Sequence, residues 1–146
     1  MRIAVIDGQG GGIGRAIVDR LRRDLPEETE IIALGTNALA ASLMLKAGAN
    51  DAASGENAII YAANKVDIIA GPIGIIIANS MLGELTPAMA SAIADADAAK
   101  MLIPLSRTNV TIMGVHNEPL PHFIKQLSDR ISVIIQEKKS GDDKNV

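Results

Sequence analysis

Ile3-Ala-Val-Ile-Asp-Gly-Gln-Gly-Gly-Gly-Ile-Gly-Arg15 is the stretch that decides how this chain folds. Ile3 to Ile6 is a short β-branched run suited to a buried parallel strand. Gly8, Gly10, Gly11, Gly12 and Gly14 then crowd into seven positions, more than an ordinary loop requires. Glycine admits positive φ and lets a ligand or another backbone approach where a Cβ would stand in the way. Beyond the turn, Ile13, Ile17 and Leu21 recur every four residues among Arg15, Asp19, Arg20, Arg22 and Arg23. This is an amphipathic helix whose first N–H groups point back at the glycines, an arrangement suited to an anion.

Outward from this stretch, strand and helix patterns alternate. Glu30 to Leu34 is the second strand, and Thr36 or Asn37 can cap a helix over 38–47. Residues 50–55 have room for a strand of two or three residues, and 56–66 read as a third helix. Asp67 to Ala70 is strand-like, followed by Gly71-Pro72-Ile73-Gly74. Ile75 to Met81 fits either a strand or a buried helix. Thr86-Pro87 opens a helix reaching about Ala98, with threonine as cap and proline in the first turn. Met101 to Leu105 and Val110 to Val115 read as two strands joined tightly enough to pair antiparallel at one edge. Pro121 opens the last helix, and the charged residues 138–146 are expected to be a disordered tail. Short connections between alternating elements imply one three-layer α/β domain over residues 1–137, with a mostly parallel sheet.

Composition narrows the function classes. The chain has 146 residues and a net charge of −3, so it offers no broad basic surface for nucleic acid. Tyr61 and Phe123 are its sole aromatics, too few for a base-stacking platform. There is no cysteine, which excludes disulfides and thiolate chemistry and suits a reducing compartment. The most apolar stretch, Val66 to Leu85, is interrupted by Gly71, Pro72, Gly74, Asn79 and Gly83 and carries Asp67 and Glu84. A membrane span needs about 20 predominantly apolar residues. The expectation is a cytoplasmic protein without a membrane partner. Its 48% hydrophobic content also leaves room for a homo-oligomer.

In open α/β sheets, ligands bind at the carboxyl ends of the strands, where the strand order reverses. The expected contacts are therefore Asp7, Gly8, Gln9, Gly10, Gly11, Gly12, Ile13 and Gly14 of the turn. Thr36 and Asn37 are expected to face a ribose or sugar, and Gly71 and Pro72 to form a second ligand-facing turn. Asp7 has two readings. It repels phosphate unless a proton or metal intervenes, or it is a turn residue accepting N–H bonds from the glycine loop. Asn79, Ser80 and Glu84 need partners, as helix caps by preference or as pocket lining. Arg107 could clamp phosphate but reads more simply as surface charge. His116, Glu118 and His122 are the one metal-type cluster. Pro119 and Pro121 deny it a helical ligand spacing, and no metal site is assigned.

Gly8, Gly12, Ile13 and Gly14, in the spacing G-x-x-x-G-I-G, resemble the cofactor turn of short-chain dehydrogenases/reductases, with Asp7 where that family usually carries threonine. The resemblance implies NAD(P), yet the second strand ends in Gly35-Thr36-Asn37 rather than in an acidic ribose ligand. Tyr61 and Lys65 have that family's Y-x-x-x-K spacing but lie too early in the chain. The opening Asp7 to Gly14, with Gly71 to Ser80 and Thr86-Pro87, looks like a family of small bacterial proteins of uncharacterised function. That likeness implies a short Rossmann-like domain and carries no activity with it. The resulting expectation is a binding or sensor module for a nucleotide or another phosphorylated small molecule, the cofactor being NAD(P) or another nucleotide. The alternatives are a small NAD(P)-dependent oxidoreductase using Tyr61 and Lys65, and an oligomeric interaction protein whose glycine turn only packs.

Overall fold

A computed structural model describes residues 1–105 and 108–144. Its strands are β1 (Arg2–Asp7), β2 (Glu30–Gly35), β3 (Asp51–Ser54), β4 (Ile68–Pro72) and β5 (Ala99–Ile103). Its helices are α1 (Gly12–Asp24), α2 (Ala38–Lys46), α3 (Glu56–Ala63), α4 (Pro87–Asp95) and α5 (Leu120–Lys144), with a 3-10 turn over Ile73–Ile76. The strands form a single sheet in the order β3-β2-β1-β4-β5, and every pairing is parallel.

Residues of β1 alternate between two cores because successive side chains of a strand point to opposite faces. Ile3 and Val5 join α1, α2 and α5 through Ile17, Leu21, Met44 and Ile131. Ala4 and Ile6 join α3 and α4 through Ile59, Met89 and Ile93. Both faces of the strand are covered, which is why its sequence is continuously apolar. The chain moves outward from β1 through β2 to β3, then returns to lay β4 on the other side of β1. That reversal opens a crevice at the carboxyl ends of β1 and β4.

Helix boundaries follow local chemistry. Asn37 caps α2, its side chain accepting from Ala40 N at 2.9 Å. Thr86 caps α4 by accepting from Met89 N at 3.2 Å, with Pro87 at the first helical position.

Three expectations are corrected. Val110 to Val115 forms no strand, so no antiparallel edge closes the sheet among the described residues. Gly114 takes φ 84°, which breaks an extended run, and Val110, Ile112, Met113 and Val115 remain exposed. Residues 112–118 instead wall a groove of about 570 Å³ beside β5 and Phe123. Residues 138–144 are helical rather than disordered. There, Lys138 pairs with Asp67 at 3.6 Å and Lys139 with Glu28 at 3.5 Å, tying the last turns of α5 to the body of the domain. Ile75 to Met81 is neither strand nor buried helix; the 3-10 turn ends at Ile76 and turns follow it.

Gly71 marks how closely β4 approaches β1. A Cβ there would overlap the carbonyl oxygen of Ile6 and press Ile75 Cδ1 at 3.1 Å. Gly71→Ala is expected to lower stability by about 1–3 kcal/mol, the usual cost of overpacking a tight core. Thermal unfolding followed by circular dichroism checks this as a fall in Tm of several degrees.

Candidate functional site

The glycine turn joins β1 to α1 around a single buried carboxylate. Asp7 ends β1 and is only 5% exposed. Its Oδ1 accepts from Gly8 N at 2.8 Å and its Oδ2 from Gly14 N at 2.7 Å. Gly14 is the third residue of α1, so Asp7 supplies the cap that Gly11, with no side chain, cannot. The turn-residue reading of Asp7 is the one realised. Burial pushes its carboxyl above the usual range against the pull of those N–H bonds, and the nearby charge of Glu84 adds to the rise.

The glycines divide into two kinds. Gly11 holds φ 73° and abuts the backbone of Ala40 in α2, while a Cβ on Gly14 would press Met44 Sδ at 2.6 Å and Asp7 Cβ at 2.7 Å. Shape demands glycine at both positions. Gly10 and Gly12 differ: neither has positive φ, and a Cβ on either would meet nothing within 4 Å. Both line an open cavity of about 620 Å³ at the crevice between β1 and β4. Asp7, Gly8, Gln9, Gly11, Ile13, Pro72 and Gly74 also line it, and Ser80, Met81, Leu105 and Thr108 complete the described wall.

The amides of the turn are only partly committed. Gly8 and Gly14 donate to Asp7, Gln9 donates to Glu84, and Gly11 donates to the Gly8 carbonyl. Gly10, Gly12 and Ile13 make no N–H bond among the described residues. The protein's own carboxylate thus takes one N–H of the helix N-terminus, that of Gly14, while the three uncommitted amides belong to residues that line the cavity.

Thr36 and Asn37 stand at the end of β2 as expected, but they are not open to a sugar. Thr36 Oγ1 donates to Glu84 Oε1 at 2.7 Å, and Asn37 Nδ2 donates to the same oxygen at 2.7 Å. Gln9 N is the third donor to that oxygen, at 3.0 Å. Burial works to raise the Glu84 carboxyl, yet these bonds together hold it below its ordinary value. Glu84 caps no helix, contrary to expectation, because Thr86 performs that task for α4. Its one sequence signal was a carboxylate inside an apolar stretch. Ser80 is buried and donates to the Gly74 carbonyl at 2.5 Å. Gly71 packs against β1, while Pro72 and Gly74 are the parts of that turn at the cavity.

Other candidates fall elsewhere. Tyr61 and Lys65 do meet, with Lys65 Nζ 4.6 Å from the ring centroid, but Tyr61 is 67% exposed. The C-terminal end of α3 lies at the amino-terminal end of the strands, opposite the cavity, where Arg2 Nη1 donates to the Lys65 carbonyl at 3.4 Å. The pair therefore cannot serve the cavity. His122 Nδ1 stands 4.0 Å from Glu118, both at the surface. Among the described residues no three His, Cys, Asp or Glu side chains converge as a metal site requires. Ser106 and Arg107 lie outside the described residues. No described helix is long and apolar enough to cross a membrane.

A parallel three-layer α/β sheet in this order, with a glycine-lined crevice at its switch point, defines a Rossmann-like domain. The chain belongs to the family described as Domain of unknown function (DUF3842), whose model matches residues 2–136. No curated protein matches it. A crystal structure of a dodecameric FMN-dependent Ubix-like decarboxylase from Escherichia coli O157:H7 is similar, with 14% identity and a TM-score of 0.46 over 90% of this chain and 95% of that one.

Asp7→Asn keeps the size of the side chain but offers one acceptor oxygen where two N–H groups need one each. It is expected to cost about 1–3 kcal/mol, the range for an unsatisfied buried polar group. A carboxyl raised in the native state contributes stability fully below the ordinary carboxylate range and loses it as pH rises through the raised value. Urea unfolding should therefore show the gap between wild type and variant narrowing from acidic to neutral pH.

Proposed function

We propose that the cavity over Gly8 to Ile13 binds a nucleotide or another phosphorylated small molecule, and that the domain is a binding or sensor module. One observation carries this reading. Gly10 and Gly12 are glycine where neither backbone conformation nor internal packing asks for it, and both face open space. The remaining demand for a missing Cβ is close approach by something outside the chain. The uncommitted amides of Gly10, Gly12 and Ile13 are the donors such a ligand would use, at the end of a helix whose dipole favours negative charge.

N–H groups alone can hold a phosphodiester or a bridging pyrophosphate of low charge. Ile13, Pro72, Met81 and Leu105 supply apolar walls for a base or similar ring. The cavity volume falls within the roughly 300–1,000 Å³ common for small-molecule sites. The oxidoreductase alternative loses its proposed pair, since the chain has one tyrosine and it lies far from the cavity.

Gly12→Val tests the reading, because a Cβ there meets no protein atom within 4 Å and Gly12 lines the cavity. Native mass spectrometry of freshly purified wild type should show a bound small molecule of nucleotide-like mass, and the variant should lack it with its Tm nearly unchanged. Equal occupancy in the two proteins would remove the turn as the site.

A further inference from the structure

We propose that Gln9 N–H, Thr36 Oγ1 and Asn37 Nδ2 form an oxyanion subsite next to the cavity, that Glu84 fills it in the ligand-free protein, and that a phosphate of the ligand displaces Glu84 from it. The inference deepens the reading of the cavity as a phosphate-ligand site and rests on it. Its starting point is an actual anion at the place in question. Three donors from the glycine turn, the end of β2 and the cap of α2 converge on one carboxylate oxygen, at 3.0, 2.7 and 2.7 Å. Charge-assisted bonds of this kind suit phosphate oxygens as well as carboxylates. The other oxygen of Glu84 accepts no hydrogen bond among the described residues, so this anion brings little beyond what a phosphate oxygen could bring.

The subsite and the cavity share a wall. Gln9 lines the cavity with its residue while its N–H holds Glu84. Gly8 lies between Thr36 and Met81 so closely that a Cβ would overlap Thr36 Oγ1 and press Met81 Sδ at 2.7 Å. Met81 is itself a cavity residue. The segment that carries Met81 and Glu84 is thus the partition between the two spaces.

That partition is anchored at its base and strained at its tip, where Gly83 N donates to the Asn79 and Ser80 carbonyls and Glu84 N to the Met81 carbonyl, each at 3.2 Å. Leu85 is fully buried, accepts from Asn79 N at 2.8 Å and donates to the Ser80 carbonyl at 3.2 Å. Between these anchors, Met81 and Leu82 take φ 59° and 56°, conformations that L side chains adopt at a cost, followed by Gly83 at 87°. Leu82 is 97% exposed, so no packing repays the strain. The contacts of Glu84 hold the tip down, and a competing oxyanion on the same donors releases it.

Titration with inorganic phosphate, read by 1H–15N spectra, tests the subsite without knowing the natural ligand. In Glu84→Ala the Gln9 amide and the Asn37 side-chain amide should shift saturably, with an apparent Kd about tenfold or more below that of wild type. That factor is what removing a competitor that occupies roughly nine-tenths of the population would give. Glu84→Gln, which keeps the shape of the side chain and loses its charge, should move in the same direction and guards against a misfolded alanine variant. Unchanged or weaker phosphate binding in both variants would overturn the proposal, and weaker binding would make Glu84 part of the site rather than its occupant. The double variant Gly12→Val/Glu84→Ala separates the two readings. Phosphate shifts at Gln9 and Asn37 that persist there support the subsite whatever the cavity binds.

Discussion

The two hydrogen bonds of the Asp7 carboxylate hold the functional end of this domain together. They join the last residue of the central strand to the third residue of the first helix, across a turn too glycine-rich to hold its own shape. Gly14 must lack a Cβ for that carboxylate to reach its N–H, and the same absence lets Met44 of α2 close over the joint. The crevice between β1 and β4 has a rigid floor because this clamp is buried and satisfied. Engaging the Gly14 N–H from inside also determines which helix-terminal donors stay uncommitted. They are the amides on the cavity side of the turn.

Two carboxylates stand near this floor, and their surroundings push them in opposite directions. Asp7 is buried and drawn toward its neutral form, whereas the donors around Glu84 keep it ionised. Glu84 sits on the donors of Gln9, Thr36 and Asn37, at the end of β2. The 77–86 segment, crossing from the end of β4 to the end of β2, is where this chain departs most from a plain strand–turn–helix site.

Whatever depended on neighbours in sequence was legible before the fold was known. β1, its turn and α1 follow from an apolar run, a glycine cluster and a four-residue period. The Asn37 and Thr86-Pro87 helix starts follow from side chains that bond their own N–H groups a few residues on. Errors arose where the outcome depended on distant partners. Val110 to Val115 has strand-like residues but no ladder, and residues 138–144 look like a tail until Asp67 and Glu28 provide ion-pair partners. Tyr61 and Lys65 have the right spacing on the wrong end of a helix. The partners of Glu84 are invisible in sequence, because its three donors lie 47 to 75 positions away.

Local pattern alone settled that this is an alternating α/β chain whose first turn cannot be filled by ordinary side chains. Backbone preference and side-chain period act over a few residues, so they survive without any tertiary partner. Tertiary structure decided which glycines serve packing and which face empty space, which amides remain unclaimed, and which carboxylate lies on Thr36 and Asn37. Those answers depend on what the rest of the chain places within a few ångströms, and no sequence window holds that information.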